Sequence, residues 1–395
     1  MLAMSSRTLT QLDRLPEIRQ ARQALLYGGG KPADTAVPID DWIERSWSRC
    51  LAHGHQPART PVFDSVTAPQ QRSTLVANHA LIQAARPVLD RLGRAIADTR
   101  YFAILTNHQG VVIATSGAID RNDRRADLIT RLGTDLSEQF LATTAIGAAL
   151  TELQPVWLHR GEHFFEANAV YSCAGAPLFG PDGHCIGMLD LTGIEVAERP
   201  ELKHLVAQSA RSIENALTLS QLRGAHDLLL RLNWPGRALG DETDGLVCLD
   251  ADGFVLGANQ TARQMVPWLN PPRNTAAGQS SPLVHCSELF ALAFESLIDA
   301  ARRPTSQQSA PLEVPLWTGL RLHALPVLHG SARQPVAMPW RAVPGVPRPP
   351  LRELETALIR QAVADARGNV LQAAKALGVS RATVYRRLGT SVKVR

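Results

Sequence analysis

The chain has only five cysteines in 395 residues, Cys50, Cys173, Cys185, Cys248 and Cys286, and no C-x-x-C spacing among them. So odd and sparse a set does not read as a disulfide framework, and reduced thiols are expected. No run approaches the roughly 18 apolar residues that a membrane-spanning helix needs. Met1 to Leu15 mixes Arg7, Asp13 and Arg14 with hydroxyl side chains and lacks the apolar segment of a secretory signal. A cytoplasmic protein with no membrane partner is the expectation. The phosphate-cradling pattern G-x-x-x-x-G-K-[ST] is absent too: the Gly30-Lys31 pair has Leu25 where the first glycine belongs and Pro32 where the hydroxyl belongs. Acidic residues run out at Asp365, after which Arg367, Lys375, Arg381, Arg386, Arg387, Lys393 and Arg395 have nothing to offset them. One-sided charge of this kind is the electrostatic footprint of a nucleic-acid contact, although a solvated basic tail looks similar.

What is present is the composition of a globular protein, with 45% hydrophobic and 19% charged residues. The length calls for two or three domains. Residues 12 to 60 read as polar helices, with Trp42, Ile43 and Trp47 spaced on one face, and a further amphipathic stretch runs from about Pro69 to Ile96. The pattern then changes to strands. Tyr101-Phe-Ala-Ile-Leu-Thr, the turn His108-Gln-Gly110 and Val111-Val-Ile-Ala-Thr form a hairpin, and Leu153 to Leu158, Ala167 to Pro177 and His184 to Asp190 continue the sheet. A long helix from Val196 to Leu222 closes this α+β module. A second strand-turn-strand unit occupies Gly245 to Asn259, turning at Asp252-Gly253, with Asn259 as the cap of a helix through Ala262 to Val266. Strands return at Leu312 to Trp317 and Leu320 to Val327. Pro335 to Pro350, with six prolines, is a stiff linker. The fold class is multidomain α+β with an all-α C-terminal unit, divided at 1–67, 68–222, 223–334, 335–350 and 351–395.

That last unit carries the clearest functional pattern. Leu351, Leu354, Leu358, Ile359, Ala362 and Ala366 recur at helical spacing, and Arg367-Gly368-Asn369 ends the helix. A short helix follows from Val370 to Leu377, where Ala373 and Ala374 leave room for a crossing helix. Gly378 suits the left-handed cap, and Ser380 caps the next helix, Arg381 to Leu388. Small residues at the crossing, glycine in the turn and a basic second helix are what a helix-turn-helix needs to enter a major groove.

The run Arg367 to Leu388 resembles the DNA-binding domain of the Fis family. The resemblance implies a homodimer on double-stranded DNA, with Ser380, Arg381 and Tyr385 approaching base edges and Thr383, Arg386 and Arg387 holding phosphates. The front half resembles the sensory region of acetoin-catabolism-type, enhancer-binding regulators. The matching pieces are Ile43 to Cys50, Leu136-Ser-Glu138, Thr144-Ala-Ile-Gly147, Gly161-Glu-His-Phe164, Cys173-Ala-Gly-Ala-Pro177 and Gly187 to Gly193. This implies a GAF fold over roughly 68 to 222 and a small-molecule ligand of unknown identity. Two departures touch the expected pocket: the family's Gly-Thr-Asn appears as Ala142-Thr143-Thr144, and its tryptophan before Ser137 is Leu136. The second module is similar to a PAS domain, as sensor or as dimerisation unit. Members of the family carry an ATPase between sensor and DNA-binding domain. Residues 223 to 350 are too short for one and lack its phosphate loop, so an ATP-independent, non-enzymatic regulator is expected, with RNA polymerase as a candidate partner.

Other chemistry is weaker. His159-Arg-Gly-Glu-His163 matches H-x-x-E-H, whose zinc site requires a helix, yet Gly161 and the flanking Val156-Trp157-Leu158 and Phe164-Phe165 read as strand and loop. A metal sensor or enzyme built on His159, His163 and Cys173 is the alternative function, and a DNA-binding protein with purely dimerising front domains is a third. Asp250-x-Asp252-Gly253 lacks the later acidic ligands of a calcium loop and reads as a turn. No catalytic residue, metal or cofactor is expected.

Overall fold

The apolar run Tyr101 to Leu105 is buried at every position, because both faces of its sheet are covered, as in sheets whose strands read as continuous apolar runs. The computed structural model describes residues 14–27, 39–63, 66–270, 284–303 and 311–328, together with Val363 and Val370. Helices α1 (Leu15–Leu26) and α2 (Asp41–Ala52) come first, then α3 (Ala68–Ala77), opened by a Thr67–Gln70 capping box, and α4 (His79–Ala95). The single amphipathic stretch expected from Pro69 to Ile96 is thus two helices, parted at Asn78. Strands β1 (Tyr101–Asn107) and β2 (Val112–Gly117) form the expected hairpin. Helices α5 (Arg124–Ile129), α6 (Glu138–Leu141) and α7 (Ala145–Glu152) precede β3 (Val156–His159), β4 (Tyr171–Phe179) and β5 (Cys185–Ile194). Helix α8 (Leu202–Gln221) closes the unit. It begins after Pro200 and not at Val196, because proline has no N–H to continue a helix and stands where one starts.

The five strands form one antiparallel sheet in the order β2-β1-β5-β4-β3, with helices on both faces, an α+β architecture. Strand alternation sorts the side chains. Tyr101, Ala103 and Leu105 pack with Leu81, Val88 and Leu89 of α4 and Val206, Ala210 and Ile213 of α8. Phe102 and Ile104 face the other way, against Leu136, Leu141, Ile146 and Phe164, with Trp42, Ile43 and Trp47 of α2 in the same cluster. The three residues spaced as one face of α2 are therefore core. Gly175 explains how α7 comes so near β4: a Cβ there would lie 2.9 Å from the Ala145 carbonyl oxygen.

The second sheet comprises β6 (Leu228–Asn233), β7 (Gly245–Leu249), β8 (Val255–Ala258), β9 (Leu312–Pro315) and β10 (Arg321–Leu328), with α9 (Gln260–Met265), α10 (Cys286–Leu289) and α11 (Phe294–Arg302) between β8 and β9. Its order is β8-β7-β6-β10-β9. Strand β6, Leu228-Leu-Leu-Arg-Leu-Asn, has no counterpart among the expected elements, yet it is the central strand. An apolar run of this length has no periodicity to separate strand from helix. Asp250 Oδ1 accepts from the N–H groups of Asp252 and Phe254, and Gly253 adopts φ 88°, so the acidic pair makes a turn. The Asn259 cap is present, its side chain accepting from Ala262 N–H at 2.8 Å.

The two sheets share α8. Its upper part packs on the first sheet, while Leu219 and Leu222 near its end pack against Leu229, Leu246 and Cys248 of the second. Arg263 of α9 adds a polar joint. Only 5% exposed, it donates to the carbonyls of Ala258 and Leu269 in its own module and, at 2.6 Å, to that of Pro181 in the β4–β5 turn.

Trp47 is 1% exposed and holds α2 onto the first domain. Trp47→Ala is expected to cost about 3–5 kcal/mol, as for deletion of a large buried aromatic. Urea unfolding measures this as a lower midpoint at unchanged slope. A loss under about 1 kcal/mol would show that α2 contributes no core.

Candidate sensory pocket and nucleic-acid interface

The face of the first sheet turned toward α6 and α7 borders a partly open cavity of about 30 Å³. Ile104, Ile129, Leu136, Leu141, Ala145 and Ile146 supply its apolar wall, and Thr144, His163, Asn168, Tyr171, Cys173, Asp190 and Thr192 its polar side. Both positions where the chain departs from the acetoin-type pattern, Leu136 and the 142–144 run, therefore contribute to this wall or its edge.

Asp190 is the chemical oddity. It lies on the central strand β5, opposite Ile104 on β1 and Gly175 on β4, and is 0% exposed. Thr192 Oγ1 donates to Asp190 Oδ2, while Oδ1 has no hydrogen-bond partner. Burial pushes the carboxyl up to about 7, against the lowering effect of Thr192. Cys173, paired with Thr192 across β4 and β5, has its Sγ 3.3 Å from Thr192 Oγ1, and burial keeps it a thiol. Burial also drives His163 down to about 4, so its ring is neutral. Nδ1 stands 2.9 Å from the Arg160 carbonyl and donates to it, which leaves Nε2 as an acceptor.

A second layer lies over the loops that border the cavity. Arg22 of α1, 8% exposed, donates to the carbonyls of Gly161 at 2.9 Å, His163 at 2.5 Å and Phe164 at 3.0 Å, and its guanidinium lies 5.7 Å from the Trp47 ring centre. Trp47 Nε1 donates to the Glu162 carbonyl at 3.0 Å. The Glu162 carboxylate accepts from His159 N–H at 2.6 Å and pairs with Arg14 at 2.7 Å. Burial nonetheless lifts Glu162 to about 7, outweighing the pull of Arg14. On the other side of the cavity Arg49 of α2 pairs with Glu138 of α6 at 3.1 Å and Glu152 of α7 at 2.9 Å. Partly exposed pairs like these contribute little each, so the buried Arg22 fork is the stronger tie.

The alternative metal site does not assemble. His159 Nδ1 is 2.8 Å from Ser172 Oγ at the end of β3, and residues 160 to 162 form one 3₁₀ turn instead of the α-helix that H-x-x-E-H requires. Among the described residues no group of three or more His, Cys, Asp or Glu is placed to hold a metal ion. Four of the cysteines, Cys50, Cys173, Cys248 and Cys286, are free and buried. Ser380, Arg381, Thr383, Tyr385, Arg386 and Arg387 all lie outside the described residues; Val363 and Val370, within the two helices expected before them, are helical. Arg22 and Asp190 escaped the sequence reading, which named His163 only as a candidate metal ligand. For Asp190 the available signal was a lone acidic residue inside an apolar strand, Met188-Leu-Asp-Leu.

The raised Asp190 predicts a pH signature. An acid whose folded pKa lies above its unfolded value binds its proton more tightly when folded, so its contribution to stability falls as pH rises between about 4 and about 7. His163, shifted down, contributes in the opposite sense between about 4 and 6.5 in wild type and variant alike. Asp190→Asn removes only the contribution of the carboxyl. Its melting temperature relative to wild type should therefore rise from about pH 5 to about pH 8, and a difference independent of pH would refute the buried carboxyl.

Comparison with known proteins gives two family matches. Residues 17–215 match the MimR, N-terminal domain, and residues 350–389 match the bacterial regulatory protein, Fis family. The chain is 29% identical over 270 residues to the acetoin catabolism regulatory protein of Cupriavidus necator, covering 65% of this chain and 39% of that protein. It is 26% identical over 344 residues to the propane 2-monooxygenase operon transcriptional activator MimR of Mycolicibacterium goodii, covering 85% and 54%. The chain thus spans about half or less of the length of these relatives. Among solved structures, the E. coli DhaR(N)-DhaL complex aligns at 16% identity and TM-score 0.43, over 73% of this chain and 93% of that one. Because the first match takes in half of the sequence, from α1 to α8, the chain belongs to the family defined by the MimR N-terminal domain.

Proposed function

We propose that the chain is a sequence-specific DNA-binding transcription regulator, responsive to a small molecule through its GAF-like domain and acting without ATP hydrolysis. The observation that carries this reading is the Fis-family match over residues 350–389, which coincides with the helix-turn-helix pattern and the uncompensated basic charge after Asp365. The relatives' descriptions as regulatory protein and operon transcriptional activator support the same class and a non-enzymatic role. In this reading the domains divide at 67, 222, 334 and 350, and the chain works in the cytoplasm as a homodimer. Ser380, Arg381 and Tyr385 read bases, Thr383, Arg386 and Arg387 hold phosphates, and RNA polymerase is a partner. No helix of the described residues is long and apolar enough to cross a membrane.

Gel-shift titration at matched salt tests the assignment. A guanidinium at the start of the recognition helix is best placed for bidentate contact to guanine, so Arg381→Ala should lose about 1–3 kcal/mol on the specific site and little on random DNA. Arg386→Ala should weaken both about equally, as a phosphate contact does. Equal loss from Arg381→Ala on both DNAs would remove it from base readout. The purified chain should also show no ATP turnover above background, since it lacks the phosphate-cradling loop; measured hydrolysis would overturn the ATP-independent reading.

A further inference from the structure

Strands β2, β3, β8 and β9 form the edges of the two sheets, and an exposed edge is a template for another chain unless it is guarded. Three of the four are guarded. Strand β3 is only four residues long. Strand β8 is covered, Val255 N–H donating to the Val284 carbonyl and Ala258 N–H to that of Pro181. Strand β9 carries Glu313 and Pro315, a charge and a residue with no N–H to offer. Strand β2, Val112-Ile-Ala-Thr-Ser-Gly117, has neither charge nor proline. Its start is met by a loop: Val112 N–H donates to the Thr134 carbonyl at 2.9 Å, and the Val112 carbonyl accepts from Gly133 N–H at 2.8 Å. Gly133, at φ 89°, turns the loop away. Among the described residues no backbone group pairs with the outer edge of β2 from Ala114 to Gly117.

That edge lines an open groove of about 840 Å³. Its apolar walls are Leu75 of α3, Ile82 and Leu89 of α4, Ile113 and Leu132. Three guanidinium groups from separate segments join them, Arg86 of α4 and Arg121 and Arg131 before and after α5. Arg86 is exposed and pairs with no described residue. Arg121 and Arg131 share one carboxylate, Asp127, at 3.6 Å and 2.5 Å, and exposed pairs of this kind contribute little, so both remain available to a second carboxylate.

We infer that this groove is the docking site for an extended, acid-rich segment of a partner protein, which adds to the first sheet as a strand beside β2. The free edge supplies main-chain hydrogen bonds, the apolar walls receive alternate side chains, and the arginines meet the acids between them. Nucleic acid fits less well, because a phosphate backbone asks for uncompensated cations along its path, and here Asp90 and Asp127 stand among them beside apolar walls. A small anion would use the arginines and leave the edge unpaired. The inference goes beyond the regulator reading and does not rest on it.

The test is selection of random displayed peptides, about twelve residues long and so ample for one strand, on the full chain. The selected sequences should be rich in Asp and Glu, should alternate these with β-branched or aromatic residues, and should lack proline. Methylating alternate backbone nitrogens of the best peptide should weaken it about tenfold or more in one register and hardly at all in the other, since an added strand bonds along one edge only. Arg86→Glu should weaken the same peptide by about tenfold at low salt and less at high salt, with an unchanged melting temperature. No enrichment, or a basic consensus, would overturn the inference. Equal binding of both methylated registers would overturn strand addition, and equal binding by Arg86→Glu would place the peptide elsewhere. Complete displacement by millimolar pyrophosphate would make the groove a small-anion site, and loss of the specific DNA shift in Arg86→Glu would give it to nucleic acid; either result overturns the peptide reading.

Discussion

The first sheet has apolar side chains on both faces of its strands, and much of the described fold follows from the need to cover both. One face is met by regular helices, α4 and α8, whose Leu81, Val88, Leu89, Val206 and Ile213 interlock with Tyr101, Ala103 and Leu105. The other is met by short helices and turns between residues 124 and 168, which cannot close it alone. Helices α1 and α2 complete the cover, α1 with Ala21 and Leu26 and α2 with Trp42, Ile43 and Trp47. The cavity beside Asp190 exists because this second layer is assembled from irregular pieces, which pack with a gap where two long helices would interdigitate.

That arrangement makes the polar ties as consequential as the apolar ones. Irregular backbone leaves carbonyls without strand or helix partners, and a buried carbonyl needs a donor. Arg22 provides three N–H contacts to the 161–164 turn, and Arg263 performs the same service where the β4–β5 turn meets the second module. In both places one planar guanidinium joins segments distant in sequence, which the fork geometry of arginine suits better than a lysine point charge. His163 lines the cavity and passes its carbonyl to Arg22; Asp190 lies on the strand that leads back to the β4–β5 turn.

Several elements were legible because their signals are local. The Tyr101–Thr115 hairpin, the Asp252-Gly253 turn and the Asn259 cap depend on residues within a few positions of one another, and each is present. The start of α8 was misplaced because apolar spacing continues through Val196, while Pro200 sets the first turn. Strand β6 was missed for a different reason. Leu228 to Leu232 reads the same in a buried helix or a buried strand, and only pairing with β7 and β10 makes it a strand. At the site, the family-like segments marked the loops around the cavity, and the one local sign of Asp190 was its place as a lone acid within an apolar strand.

By itself the sequence determined the class of the protein: a multidomain α+β chain, a front half resembling the sensory region of known regulators, and a C-terminal helix-turn-helix pattern whose charge, glycine and caps are consecutive in the chain. These features rest on spacing, and spacing survives in one dimension. Tertiary structure alone decided that β6 is central, that α1 and α2 cover the first sheet, that Arg22 and Arg263 are buried ties, and that Asp190 faces a cavity with one oxygen unpaired. Burial and hydrogen-bond satisfaction are set by partners far apart in sequence, Arg22 with Phe164 and Arg263 with Pro181 among them, so they have no value until the chain is folded.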